Sequence, residues 1–163
     1  MAETKRSLVE DTSDREIVLT RVLDAPRELV WHAITSPEHV INWWGPIGFT
    51  TTIDDMDVRP GGAWKHVMHG PDGTDYPTEA IFTEVAEPER LCFSVVGGKK
   101  GANVRFDSFW TFEAQGERTK LTLRMVFPTT EARDLNVKTY KSIEGGQQTL
   151  ARLAEYLPQM PSK

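Results

Sequence analysis

His66 is the side chain in this sequence best suited to moving a proton. It stands in Ala63-Trp64-Lys65-His66-Val67-Met68-His69, a run that alternates as a strand does, so His66 shares its face with Trp64 and Met68 and should point inward. An imidazole titrates near neutral pH, which suits general acid or base work. The plainer reading, a hydrogen-bonded core or ligand-orienting histidine, stays open beside it. Asp57-Val-Arg59 sets an acid and a base two residues apart on one predicted strand face, where they can pair or flank a neighbouring strand. Asp57 is therefore a second candidate for catalysis, set against an ordinary structural ion pair. Tyr76 and Glu79 could bring further polar groups to the same interior.

Metal chemistry is poorly served. On a strand His66 and His69 face opposite sides and cannot share one ion without a bulge, while His32 and His39 fall on separate predicted helices and are expected at the surface. No metal or other cofactor is expected. Gly97-Gly-Lys-Lys-Gly101 joins two predicted strands instead of opening a helix, so it is no phosphate cradle, and no serine-nucleophile motif is present. The single Cys92, within Leu91-Cys-Phe-Ser-Val-Val96, has no internal disulfide partner and reads as a small buried hydrophobe before a reactive thiol.

Charge and length exclude other classes. With 19 Lys and Arg against 24 Asp and Glu, a net charge of -5, and no basic stripe, the chain is not built to neutralise phosphates, and no nucleic-acid partner is expected. No run approaches the ~18 apolar residues of a membrane span, and nothing at the N-terminus resembles a signal peptide. A cytoplasmic protein is the expectation. Its 163 residues suit one domain able to bury roughly 70% of its unfolded surface.

The elements that must position these residues follow from changes of period. Met1 to Asp14 is polar and patternless and reads as a flexible arm; residues 15–158 form the domain and 159–163 a tail. Arg15 to Leu23 suits a first strand. Asp24-Ala-Pro26 and Ser36-Pro37-Glu38 each signal a helix start, so two short helices follow, the second ending at Gly45-Pro46. From Phe49 to Phe127 the turns Arg59-Pro-Gly-Gly62, Gly70-Pro-Asp-Gly73, Glu87-Pro-Glu89, Gly97 to Gly101 and Ala114-Gln-Gly-Glu117 separate six strands. Connections this short join antiparallel neighbours, giving a meander of hairpins. Thr129 or Thr130 caps a further helical segment, and Tyr140 to Leu157 carries an apolar stripe at three- and four-residue steps. The fold class is α+β: a curved antiparallel sheet of about seven strands with a long C-terminal helix packed across it.

That order resembles the helix-grip fold of the START-like, or Bet v 1-like, superfamily. The local motifs narrow the resemblance. Ser36-Pro-Glu-His-Val40, Trp43-Trp44-Gly45-Pro46, Asp57-Val-Arg59-Pro-Gly61-Gly62-Ala-Trp64, Pro71-Asp72-Gly73, Pro88-Glu-Arg-Leu91 and Gln147-Gln-Thr-Leu150-Ala-Arg-Leu153 look like the bacterial proteins grouped with the activator of Hsp90 ATPase. The resemblance spans roughly residues 14 to 158. It implies binding of lipids, sterols, polyketides or aromatic compounds, with catalysis in only some members.

A sheet gripping a helix leaves a cavity unless its inward side chains are large. The expected wall takes Trp43, Trp44 and Phe49 from the segment before the meander, with Trp64, His66, Met68, Tyr76 and Phe82 from its early strands. Phe93, Phe106 and Trp110 continue it, and Gly146, Gln147 and Leu150 close it from the helix. Aromatic and methionine walls suit an apolar ligand; a filled core is the alternative. Adjacent residues on a helix point roughly 100° apart, so one of Trp43 and Trp44 can be buried while the other faces the pocket mouth. Gly145-Gly146 thins the helix, either for close approach to the strands or for room beside a ligand.

The expected function is binding of a small hydrophobic, aromatic or lipid-like molecule in this cavity. A polyketide cyclase or dehydratase-like enzyme using His66 with Asp57 or Tyr76 is the alternative. The resemblance also suggests an Hsp90 co-chaperone module, but Hsp90 is not the expected partner of a chain without room for the extra N-terminal domain of the eukaryotic co-chaperones. A homodimer is plausible because sheet edges are often covered that way.

Overall fold

The computed structural model describes residues 13–97, 105–139 and 141–160. Seven antiparallel strands form one sheet in the order β1-β7-β6-β5-β4-β3-β2. β1 is Glu16–Leu23, β2 Thr50–Met56, β3 Ala63–His69, β4 Asp75–Ala86, β5 Arg90–Gly97, β6 Phe106–Gln115 and β7 Arg118–Val126. The six strands after β1 follow one another as hairpin neighbours, as their short turns require. β1 closes on β7, with Ile17 opposite Met125 and Leu19 opposite Leu123. The free edges are β1 and β2.

Helices α1, Arg27–Thr35, and α2, Pro37–Val40, carry the chain between those edges, and α3, Thr130–Lys138, leads into the long α4, Ser142–Tyr156. Pro26 and Pro37 open the first two, fixing φ where an amide donor is not needed. Neither helix has a side-chain cap: the Ser36 hydroxyl pairs with His32 Nδ1 at 3.0 Å. The Asp24 side chain stands in solvent near Arg118. Thr129 does cap α3, its hydroxyl accepting from Ala132 N at 3.0 Å. α4 begins two residues later than its stripe suggests, at a left-handed Lys141 with φ 54°. Tyr140 lies outside the described residues.

Turn chemistry does what the glycines require at two places. Gly73 takes φ 87° in the β3–β4 hairpin, beyond the reach of most side chains. At Gly62 a Cβ would lie 2.0 Å from the Asp57 carbonyl oxygen, so no other residue fits. The expected turn over 97–101 falls, from residue 98 onward, outside the described residues, as does most of the N-terminal arm. Within the described part, Ser13–Arg15 forms one 3-10 turn. Met160, placed in the expected tail, is buried against the core.

The core follows the alternation. On β7 Leu121, Leu123 and Met125 are buried between partly exposed neighbours, and on β6 Ser108, Trp110 and Phe112 are buried in the same rhythm. Leu150, Leu153 and Leu157 present the C-terminal stripe to this surface. None of the described helices is long and apolar enough to cross a membrane.

Candidate functional site

The sheet and α4 do not close completely. Between them lies a cavity of about 360 Å³, at the lower end of the ~300–1,000 Å³ range of small-molecule pockets. Three strands supply its inward row of large side chains: Trp64, His66 and Met68 from β3, Phe93 from β5, Phe106 and Trp110 from β6. Trp44 and Phe49 enter from the loop before β2, Tyr76 from β4, and Gly145 and Gly146 from α4. Leu123 and Met125 complete an apolar floor on β7.

Other residues expected at the wall do different work. Trp43 has no exposed surface and donates its indole N–H to the Ala33 carbonyl at 3.1 Å, locking the second helix to the first. Phe82 stacks behind Trp64, with ring centroids 6.1 Å apart and planes within 7°, and does not line the cavity. Leu150 packs in the core, while Gln147 faces solvent because the helical rotation that turns Gly146 inward turns its successor out.

Asp57 is not on a strand face. β2 ends at Met56, and the turn that follows points Asp57 outward to Arg59, whose Nε lies 2.8 Å from its carboxylate. Glu79 is exposed on the outer face of β4, opposite in parity to the cavity-lining Thr78 and Ala80. No carboxylate lines the cavity among the described residues.

His39 departs from its surface assignment. α1 and α2 fold back on each other, leaving the His39 ring buried 4.9 Å from that of His32, with Nδ1 2.6 Å from the Tyr156 hydroxyl. His69 does sit on the outer face, between Thr52 and Asp75. Among the described residues no three His, Cys, Asp or Glu side chains gather as metal ligands. Cys92 is buried on the face turned away from the cavity, beside Arg90 and Glu84, and burial pushes its thiol pKa up.

Trp44 organises the aromatic wall. Its ring stacks on Trp110 at 5.8 Å and meets Trp64 edge-on at 4.9 Å, with His66 and Trp43 also in contact. The loop that carries it is pinned to α4: Arg152 Nη1 donates to the carbonyls of Gly45 and Pro46 at 3.0 Å and of Phe49 at 3.1 Å. Gln148 accepts from Ile47 N at 3.1 Å. The loop is thus a rim fastened to the helix.

The glycines at the thin point of α4 allow close approach. A Cβ on Gly146 would lie 2.5 Å from Leu19 Cδ1, and one on Gly145 would lie 3.3 Å from Pro46 Cγ. The helix therefore approaches β1 and the rim loop closely, and the same residues border the cavity.

Polar groups on the wall differ in how they are satisfied. Ser108 Oγ accepts from Trp110 Nε1 at 2.9 Å, Asn136 Nδ2 donates to Ala132 O at 2.9 Å, and Thr149 Oγ1 donates to Gly145 O at 2.8 Å. These are satisfied within the protein. Trp64 Nε1 and His66 Nδ1 are buried with no hydrogen-bond partner among the described residues. Burial also lowers the His66 pKa from 6.5 to about 4, so the ring is neutral at pH 7. Parity on β6 could have revealed Ser108. Asn136, Thr139, Lys141 and Ser142, also on the wall, carry no such signal because they meet it at the joint between two helices, and Thr149 reaches it from farther along α4.

The sequence family described as activator of Hsp90 ATPase homolog 1-like protein matches residues 24–158. The chain belongs to this family. Solved structures reproduce the fold at low identity. A crystal structure of a protein from Nitrosomonas europaea aligns with a TM-score of 0.78 at 26% identity, covering 93% of this chain and 99% of that one. A solution structure from Arthrobacter aurescens gives 0.83 at 23% identity, with 94% and 92% covered. An AHSA1 protein from Silicibacter pomeroyi gives 0.74 at 21% identity, with 88% and 98% covered. A search of curated proteins finds no match.

Proposed function

We propose that this protein binds a small hydrophobic or aromatic molecule in the cavity between the sheet and α4. The observation that carries the reading is the cavity wall itself: about 360 Å³ bounded by Trp44, Trp64, Phe93, Phe106 and Trp110, with a surface that is mostly apolar. Water gains little there and an apolar molecule gains much, since transfer is worth about 25 cal/mol per Å² of apolar surface removed from water.

The enzyme reading draws less support. His66 and Tyr76 border the cavity, but a partner that orients and tunes the ring favours general-base work, and among the described residues no carboxylate lines this wall. A neutral, buried histidine fits ligand orientation better. The family's description invites a test for Hsp90 binding, and a pull-down settles that question separately.

The test is a thermal-shift panel of small apolar and aromatic compounds. Specific binding raises the melting temperature in proportion to ln(1 + [L]/Kd), with saturation of the site and one molecule per chain. A panel in which no compound stabilises the protein contradicts the proposal.

A further inference from the structure

From two nitrogens of the wall residues Trp64 and His66 that have no partner among the described residues we infer that the ligand is an uncharged aromatic molecule bearing one oxygen, a carbonyl or hydroxyl, seated on the Trp64 indole N–H and the His66 imidazole. The inference rests on the binding reading above and adds the ligand's polar chemistry. Trp64 and His66 are two apart on β3, both only 3% exposed, with ring centroids 4.5 Å apart and planes inclined by 31°. An indole N–H can only donate, so the matching ligand atom must accept. A neutral imidazole offers one donor and one acceptor according to tautomer. A carbonyl oxygen satisfies two donors, and a hydroxyl satisfies one donor and one acceptor.

Burying such groups without partners is costly, and the rest of the wall shows the contrast. Ser108, Asn136 and Thr149 all make hydrogen bonds within the protein, whereas Trp64 Nε1 and His66 Nδ1 make none. Both atoms are sealed beneath the wall, so the two rings must turn for an oxygen to reach them. Their surroundings are apolar rings, Trp44 edge-on to both and Phe93 edge-on to Trp64, which frame a flat ligand. A carboxylate is disfavoured at this depth. Among the described residues the cation bordering the cavity is Lys141, which is exposed, and an unpaired charge among these rings has nothing to replace its water.

Matched naphthalenes test the inference by calorimetry: 2-acetylnaphthalene, 2-naphthol, 2-ethylnaphthalene and 2-naphthoate. The expected result is that the ketone or the naphthol binds about tenfold more tightly than 2-ethylnaphthalene. In Trp64→Phe with His66→Phe that ratio falls to about one. In the unaltered protein the Trp64 indole N–H resonance, assigned by its loss in Trp64→Phe, shifts with the oxygen compound and not with the hydrocarbon. This second readout stands if the double variant does not fold. Equal affinity for oxygen compounds and hydrocarbon, or tightest binding of 2-naphthoate, overturns the inference and leaves apolar binding intact. Binding of none of the four overturns both.

Discussion

Replacing Trp43 by alanine is expected to cost about 3–5 kcal/mol of stability, as removal of a large aromatic from a filled core does. The side chain has no exposed surface and holds α1 to α2 through the Ala33 carbonyl. In a domain of this size the melting temperature should fall by roughly 10 °C or more. Its neighbour should behave differently. Trp44 faces space that is already open, so Trp44→Ala is expected to cost only about 1–2 kcal/mol. The variant should bind cavity ligands about tenfold more weakly, because the ring that stacks on Trp110 and meets Trp64 edge-on is gone. Chemical denaturation of both variants beside a ligand titration checks the pair. Equal destabilisation by the two substitutions would show that the wall and the core are not distinct.

The second large effect is on the pH dependence of stability. His66 has a folded pKa of about 4 against 6.5 when unfolded, because burial disfavours the charged ring. Above pH 6.5 the ring is neutral in both states and contributes nothing to the dependence. Between pH 6.5 and 4 the unfolded chain takes up the proton and the folded chain does not, so stability falls as pH is lowered through that window. The loss attributable to His66 is about 3 kcal/mol and levels off below pH 4. Unfolding free energies across the window, compared with His66→Phe, isolate this contribution. An identical slope in both proteins would mean that the imidazole is solvated or paired in the folded state.

The two tryptophans show what could be read from sequence. Alternation on β3 and β7 fixes which residues turn inward, and helical rotation separates Trp43 from Trp44; both are local geometry. Which tryptophan meets the cavity depends on how α1 and α2 fold against each other, a tertiary fact. Asp57 went astray for a local reason: a tight turn begins at β2's last residue and carries the acid outward to Arg59. Gln147 was placed one step around the helix from Gly146, the residue that reaches the wall. Arg152 was invisible as an anchor because its partners are backbone carbonyls of a loop more than a hundred residues away, which no side-chain pattern encodes. His39 reads as a surface residue until Tyr156, at the far end of the chain, covers it.

The central claim is that the space between sheet and α4 admits apolar molecules. Methyl-resolved NMR under xenon pressure tests it most directly, since xenon enters dry apolar cavities whatever their natural occupant. The methyl signals of Ala80, Val95, Leu123 and Met125, which border the cavity, should shift and saturate together, while that of Leu121, buried on the same strand outside it, should not. Shifts confined to exposed methyls such as that of Ile47, or no saturable response, would mean that the core is filled and the binding proposal is wrong.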